Sequence, residues 1–297
     1  MAAMRELRFG ISVTPYADAY PDIVAQVRAA EQGDLDVVGI QDHPYQRRFL
    51  DTFALIGDLL GRTDRLRLFP DVASLPMRGP VILAKTAASL DRMSGGRFEL
   101  GLGAGTFWQA VAGMGGPART NREAAEALEE AVPIIRAALD LERVVRGPGP
   151  HYPVPGYPPG PEPGHRVEIW IGALRPRGLR LIGQLADGWV PSITYLKPAN
   201  LPSATAIIED AAAAAGRDPG RIRRIYNVMG TITDGDLGDG PLDGPVDLWI
   251  ERLSSWAVDV GLDTFVFWPP GRGIAQIERF AQEVVPGVRS ASRARAG

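Results

Sequence analysis

Short apolar runs of strand length alternate with longer runs of helical periodicity along the whole chain. The strand-like runs cover residues 7–13, 36–41, 66–72, 97–103, 167–172, 188–192, 222–230 and 264–268. The helical runs that follow them cover residues 20–33, 52–61, 81–93, 121–140, 176–186, 199–215, 246–260 and 274–284. Alternating units also occur in doubly wound open sheets, but eight of them in 297 residues favour an α/β fold of one domain, a single (β/α)8 TIM barrel over residues 1–286.

Three segments fall outside this alternation. Residues 147–164, between the fourth helix and the fifth strand, hold eight of the 26 prolines. Proline excludes a helix or a central strand there, so we expect an ordered excursion over the barrel. Residues 233–245, rich in Gly, Asp and Pro, follow the seventh strand and predict a mobile loop at the catalytic end, whereas residues 287–297 predict a flexible C-terminal tail.

Composition narrows the function classes. With 45% hydrophobic residues, 23% charged residues and a net charge of −3, the chain resembles ordinary globular proteins. The absence of cysteine excludes disulfides, zinc–thiolate sites, iron–sulfur clusters and a thiol nucleophile. No secretion signal, bilayer-length apolar stretch or dense basic block is present, so we expect a cytoplasmic protein that binds neither membrane nor nucleic acid. Its expected partner is a small molecule.

The second strand ends in Gln41-Asp42-His43-Pro44, at the end of the barrel where the connections from strand to helix build active sites. A histidine beside a carboxylate at this position is a ready proton donor or polar contact, and Asp42 and His43 are our catalytic candidates. The alternative interpretation is a pair that only satisfies a turn.

Two glycine-containing turns are candidate ligand sites. The fourth strand runs into Gly101, Gly103 and Gly105, which indicates either a floor beneath a planar ligand or tight strand packing. Thr106 replaces the last glycine of a dinucleotide fingerprint, so that motif fails. The turn after the fifth strand combines a helix N-terminus with Arg175 and Arg177 and suggests an anion site, unless these arginines are only solvated.

Other chemistry has weaker support. The chain has no GxSxG, GxxxxGK[ST] or HExxH motif, and its three histidines are far apart, so we expect no metal site. Asp42 and Asp71 could serve as the paired carboxylates of a glycosidase, and a hydrolase therefore stays open as an alternative.

Four segments of the chain together resemble the bacterial-luciferase-like family of flavin- and deazaflavin-dependent oxidoreductases, in particular its methylenetetrahydromethanopterin-reductase-like branch. They are GDLDVVGIQDHPYQ at 33–46, RLRLFPDVASLPMRGPVILAKTAASLDRMSGGRFELGLGAG at 65–105, IWIGALRPRGLRLIGQLADGWVPS at 169–192 and GLDTFVFWP at 261–269. The resemblance implies a (β/α)8 barrel, usually dimeric, that binds its cofactor at the carboxyl end of the strands.

The resemblance also implies roles for individual residues. His43, with Asp42, would lie beside the reactive ring, and the Asp71–Val72 bond matches a non-prolyl cis peptide behind that ring. The implied cofactor-binding positions are Asp71, Val72, Ala73, Gly101, Gly103, Ala104, Gly105, Thr106, Gly172, Ala173, Leu174, Arg175, Arg177 and Gly178. The chain departs from the family pattern at Thr106, where some members have a glutamate proton donor, and at Ala104, where luciferase has arginine. Proton donation would then come from His43 or from the substrate.

The cofactor implied is coenzyme F420, which we favour, or FMN. Reduced coenzyme F420 would transfer hydride to a small C=N, C=C or carbonyl acceptor, beneath a roof of Phe107, Trp108 and residues 233–245. FMN would instead support monooxygenation with oxygen. Either cofactor calls for a partner that reduces it, a flavin reductase or an F420-reducing enzyme, and a homodimer is expected. A protein that binds flavin without catalysis is a further alternative.

Overall fold

The computed structural model describes residues 5–296, which form one barrel of parallel strands. The strands are β1 Arg8–Val13, β2 Val37–Ile40, β3 Arg67–Pro70, β4 Ala73–Ser74, β5 Leu100–Gly103, β6 Val145–Gly147, β7 Val154–Tyr157, β8 Ile169–Ile171, β9 Gly188–Trp189, β10 Arg223–Met229, β11 Ile232–Thr233, β12 Gly244–Pro245 and β13 Thr264–Trp268. Their order in the main sheet is β3-β2-β1-β13-β10-β9-β8-β5-β4.

The helices cover the outside of this sheet. They are α1 Tyr20–Gln32, α2 Thr52–Leu60, α3 Leu75–Arg78, α4 Pro80–Ser94, α5 Trp108–Gly113, α6 Asn121–Leu139, α7 Pro176–Leu185, α8 Leu201–Ala214, α9 Val246–Asp259, α10 Ala275–Arg279 and α11 Val285–Ala296, with a π-helical turn Phe280–Val284 between the last two. Within residues 5–296, none of them combines the length and the apolar character needed to cross a bilayer.

The sheet closes through its third strand, which is divided into β3 and β4. Leu68 forms a bridge to Phe98, ahead of β5, while Ala73 and Ser74 of β4 pair directly with β5. Between the two halves, the Asp71–Val72 peptide bond is cis. Counting β3 and β4 as one strand, eight strands form the barrel, and the predicted (β/α)8 architecture is confirmed.

Apolar residues fill both sides of the barrel wall. Inward-facing side chains form a compact cluster, which consists of Val37, Phe69, Trp170, Val190, Ile225 and Val266. The alternate residues of the same strands pack outward under the helices, as Phe9, Ile11 and Val13 of β1 do. This two-sided burial explains why the strands appear in the sequence as near-continuous apolar runs.

The amino-terminal end of the barrel, its base, is closed by charged side chains. Glu99 accepts hydrogen bonds from Arg67 at 3.0 Å and from the backbone N–H of Glu168 at 2.7 Å. His165 lies 2.7 Å from Asp91 and 3.1 Å from the Glu99 oxygen that accepts from Arg67. We call Arg67, Asp91, Glu99 and His165 the base cluster; each carboxylate in it has at least two partners.

The proline-rich excursion is ordered, as expected. It begins with the antiparallel pair β6–β7, and the backbone N–H groups of His151 and Tyr152 donate to Glu130 on α6. The Tyr152 hydroxyl, which accepts from Arg119, lies close to the carbonyl of Leu75 beyond the end of β4. The segment therefore runs up the barrel wall and returns to the base, where His165 fastens it.

The structure corrects the expectation of a frayed C-terminal tail, and it shows which residues the expected roof loop lies beside. The chain does not fray after residue 286, because α11 continues to residue 296 with Val288 and Ser292 fully buried; residue 297 lies outside the described residues. Residues 238–241 of the expected roof lie beside Arg252 and Trp256 of α9, where they line a cleft of about 650 Å³ on the flank of the barrel. Asp243 fixes this loop by accepting from the backbone N–H groups of Thr231 and Gly240.

Candidate active site

The carboxyl ends of the strands surround an open end of the barrel, its mouth, and His43 lies on the rim. Nδ1 of His43 is 2.7 Å from the Tyr45 hydroxyl. Burial lowers the pKa of His43, although the nearby Asp42 acts in the opposite direction. Burial also raises the pKa of Tyr45 to about 12, so this hydroxyl keeps its proton at neutral pH. When Tyr45 donates to Nδ1, the neutral imidazole carries its own proton on Nε2.

Asp42 does not share the chemistry of its neighbour. Arg78 binds it in a bidentate pair, Nε to Oδ2 at 2.8 Å and Nη2 to Oδ1 at 2.7 Å, and the backbone N–H of Ser74 donates to Oδ2 at 2.8 Å. Arg78 also contacts Asp51, which caps the N-terminus of α2. The expectation of a catalytic Asp42 is therefore corrected, since three hydrogen bonds hold this buried carboxylate in place at the strand end.

Aromatic rings form one wall of the mouth. Phe107 lies edge-on to His43 with ring centroids 6.0 Å apart, and its ring is 5.8 Å from that of Tyr45. Phe107 adopts a left-handed backbone conformation (φ 54°), which non-glycine residues rarely take, and its side chain stays 58% exposed. Phe49 and Tyr16 extend the group behind His43. We call these five residues the aromatic cluster.

Asp71 and Asn227 lie on the floor of the mouth. Nδ2 of Asn227 donates to Oδ1 of Asp71 at 3.0 Å. Oδ2 of Asp71, Oδ1 of Asn227 and the hydroxyl of Ser12 are all buried without a hydrogen-bond partner in the structure. Burial raises the pKa of Asp71 to about 7. Because buried polar groups in proteins are almost always paired, the three unpaired atoms make the floor a candidate surface for a ligand.

Three of the glycines expected beneath a ligand serve the strands instead. A Cβ on Gly101 would lie 2.0 Å from the carbonyl oxygen of Pro70. On Gly103 it would meet Cγ2 of Val72 at 2.7 Å, and on Gly172 the same methyl at 3.2 Å. These positions let strand backbones approach closely and make room for Val72, so the packing interpretation is the one that the structure supports.

The residues in the turns around these strand ends differ in how far they are exposed at the mouth. Gly105 has a positive φ of 104°, and a Cβ there would strike Pro76 and Trp108. Ala104 is half-buried beside it, whereas Thr106 is exposed. Ala73 is fully buried in β4 and contributes no side chain to the mouth.

Only part of the expected anion turn is free to bind an anion. Ala173, Leu174 and Arg175 precede α7, whose first-turn backbone N–H groups have no acceptors within the helix. Gly178 is needed there, because a Cβ would lie 2.7 Å from that of Ala173. Arg177, by contrast, points to α6 and forms two hydrogen bonds of 2.7 Å with Glu129, so its proposed role as an anion ligand is not what the geometry supports.

Sequence reasoning missed Tyr45, Arg78 and Asn227. Tyr45 stands two residues after His43, which was a usable signal. Arg78 and Asn227 come from other strands or their connections and meet Asp42 and Asp71 only in the fold. Among residues 5–296, no group of three or more His, Asp or Glu side chains is arranged to hold a metal ion.

Comparison with protein families gives the chain its place. Residues 6–236 match the family model of luciferase-like monooxygenases, which is most of the chain. The chain belongs to the luciferase-like monooxygenase family. The resemblance to this family is thereby confirmed, and three of the four segments that suggested it lie within the matched residues.

The chain is also similar in sequence to individual curated proteins. A phthiodiolone/phenolphthiodiolone dimycocerosates ketoreductase from Mycobacterium kansasii is 33% identical over 193 residues, which cover 64% of this chain and 51% of the ketoreductase. The chain thus spans about half the length of the curated relatives that it matches.

Solved structures share the fold at lower identity. An F420-dependent secondary alcohol dehydrogenase in complex with an F420–acetone adduct superposes with a TM-score of 0.84 at 19% identity, over 96% of this chain and 100% of its own. EDTA monooxygenase from Chelativorans gives 0.80 at 16% identity, over 96% and 94%. At these identities the likeness shows the luciferase-like barrel and nothing finer.

Proposed function

We propose that the chain is a reductase of small carbonyl compounds that uses reduced coenzyme F420 and that also oxidises the corresponding secondary alcohols. The observation that carries the proposal is the His43–Tyr45 pair at the mouth, a neutral imidazole 2.7 Å from a protonated phenol. Carbonyl reduction needs a proton at oxygen as hydride reaches carbon, and this pair can supply it. The named ketoreductase relative and the alcohol dehydrogenase neighbour support the substrate class.

The residues of the mouth fit a flavin-like ring. Phe107, Leu174, Tyr195 and Met229 are large apolar side chains that stay exposed around the mouth, and they would contact the faces and edges of a planar ring. The free backbone amides before α7 suit its phosphate. When bound, the cofactor supplies the hydride.

The protein's own residues do the remaining work. Arg78 and Ser74 hold Asp42, which fixes the strand end that carries His43. Tyr45 orients the imidazole, and Phe107 covers it from the solvent side. His43 then holds the substrate oxygen and delivers its Nε2 proton to it as the alcohol forms, while Nδ1 takes the hydroxyl proton of Tyr45, which solvent afterwards restores. The hydrolase alternative needs two accessible carboxylates, and the geometry does not favour it. Asp42 is held in an ion pair with Arg78, and Oδ2 of Asp71 is buried in the floor.

The test begins with titrations of the purified apoprotein with coenzyme F420 and with FMN. Oxidation of reduced coenzyme F420 is then followed with a panel of ketones. We expect selective binding of F420, turnover with ketones and loss of turnover in His43→Ala. Arg177→Ala is the matched control, because that side chain is paired on the outer wall. Selective FMN binding with oxygen consumption would replace the proposal by monooxygenation, and tight binding without turnover would make the protein a flavin binder.

A further inference from the structure

The carboxyl group of Asp71 lies in the floor in an unusual setting. The residue as a whole is half-buried, but Oδ2 is completely buried and has no hydrogen-bond partner. Oδ1 has one, the Nδ2 group of Asn227 at 3.0 Å, and Asn227 is only 3% exposed. The side chain therefore turns away from the solvent of the mouth and into the barrel.

Within residues 5–296, no cationic side chain acts on this carboxyl group. Gly39 of β2 lies against it so closely that a Cβ on the glycine would be 3.0 Å from Oδ2. From β10 it meets Asn227 and from β13 Trp268, both uncharged, while Ser12 of β1 has a hydroxyl group. Asp42, one strand away, has Arg78 as its counterion. A buried carboxylate without a counterion is strongly disfavoured and takes up a proton instead.

While the mouth is open, the protonated and ionised forms of Asp71 have similar free energies near neutral pH. Burial raises the pKa of Asp71 to about 7, and the Asn227 amide and the Trp268 indole N–H, which face the carboxyl group, work against that rise. A planar ring placed over the mouth would displace the water that still reaches the residue. Removal of that water disfavours the charged form further.

We propose that Asp71 is the proton-holding group of the floor: it is a carboxylic acid whenever a ring covers the mouth, and ring binding transfers a proton from solvent to its carboxylate. The proton comes from water or buffer and no electron moves. The ring-binding part of this inference rests on the proposed function. Asp71 acts as a positioning residue, since the neutral acid keeps negative charge away from a ring that gains electrons.

The first experiment needs no cofactor. Infrared difference spectra between the apoprotein and Asp71→Asn isolate the acid carbonyl band of this one residue. We expect the band to persist well above the ordinary carboxyl pKa of about 4 and to disappear with a midpoint near 7. Asn227→Leu removes the hydrogen bond that favours the ionised form, so it should move the midpoint upward. Titration of the band at the ordinary pKa, or an unchanged midpoint in Asn227→Leu, would overturn the proposal.

The second experiment measures proton uptake on ring binding. Calorimetric titrations with FMN and with coenzyme F420 are run at about pH 8, where the FMN phosphate is already ionised, in two buffers of different ionisation enthalpy. We expect uptake of a large fraction of one proton by the wild type and by His43→Ala, and none by Asp71→Asn. Equal uptake in all three would contradict the assignment. If neither ring binds, the proposed function and the uptake both fail, whereas the infrared band still decides whether Asp71 is the acid.

Discussion

The buried acidic residues Glu99 at the base and Asp71 at the mouth have opposite surroundings. At the base, Glu99 accepts from Arg67, His165 and a backbone N–H, and Asp91 is equally well supplied. At the mouth, Oδ2 of Asp71 and Oδ1 of Asn227 are buried with nothing to bind. Saturated networks stabilise a fold, whereas unsatisfied groups cost free energy that only a ligand or a change of protonation can recover. The difference indicates that Glu99 serves to hold the barrel together, whereas the floor of the mouth is a candidate surface for a ligand.

Two histidines show the same contrast. Hydrogen bonds that His165 donates to Asp91 and Glu99 raise its pKa to about 9, so it is a cation at neutral pH. Burial lowers the pKa of His43, so it is neutral and free to exchange a proton. One side chain type therefore serves as a fixed charge at the base and as a proton carrier at the mouth.

The largest effect is expected for His43→Ala, which tests whether His43 at the mouth affects turnover without affecting stability. Removal of a positioned acid typically lowers kcat by about 10²–10⁴, and we expect that loss here. The free energy of unfolding should change by no more than about 1 kcal/mol, because His43 is only half-buried. Steady-state kinetics and urea denaturation of the same preparation measure both. A mutant that turns over normally would remove His43 from the mechanism.

Glu99→Ala is the reciprocal change at the base. It leaves Arg67 and His165 without their shared carboxylate, and breaking such a buried network costs about 3–5 kcal/mol. We expect that loss of unfolding free energy in urea, with an unchanged dissociation constant for the cofactor. Arg122→Ala, which breaks one exposed pair with Glu126, serves as the control and should leave stability unchanged. Weakened cofactor binding in Glu99→Ala would show that the two ends are coupled.

Asp71→Asn should make the protein more stable, in a way that depends on pH. The pKa of Asp71 is raised from 3.8 to about 7, so its native protonation favours folding below about pH 4 and that contribution is lost as the pH rises to about 7. The asparagine variant should therefore gain about 2–3 kcal/mol over the wild type above pH 7 and nothing near pH 4. Thermal melts across this range test the prediction, and a constant difference would contradict it.

His165→Ala should have the smallest effect on the free energy of unfolding. That effect should be present at low pH and lost at high pH, whereas the effect of Asp71→Asn appears at high pH. Because its folded pKa is raised, the contribution of His165 is fully present below about pH 6.5 and is lost as the pH rises through about 9. With solvent screening of a partly exposed side chain, we expect a loss of about 1–2 kcal/mol at neutral pH and almost none at high pH. Urea denaturation at both pH values provides the measurement. A loss that persists at high pH would assign the effect to packing.

The fold was largely predictable, because every barrel strand and its helix carry a local apolar pattern. The 264–268 strand agrees with β13 at both ends, and α6 differs from its predicted range by one residue. The errors occur where local pattern and tertiary contact disagree. Residues 287–297 look polar and Arg-rich, yet Val288 and Ser292 at helical spacing are enough to bury one face of α11.

The site was predictable only where one strand end supplies it. His43 follows directly from the pattern of the second strand, but the neutralisation of Asp42 depends on Arg78, 36 positions later. The glycines were read as a ligand floor because sequence cannot show what a missing Cβ makes room for; in the fold it is Pro70 and Val72. Likewise, the turn before α7 predicts Arg177 as an anion ligand, because its real partner, Glu129 on α6, is far away in the sequence.

The shared use of Arg78 has a consequence for how this barrel can diversify. One guanidinium group joins the strand end that carries His43 to Asp51 at the start of α2, and it also lies 4.4 Å from the centre of the Phe53 ring. His43 is thus anchored through Asp42, by residues that take no part in the proposed reaction. Substitutions at Phe107, Tyr195 or Met229 can reshape the opening for new substrates while the proton donor keeps its place.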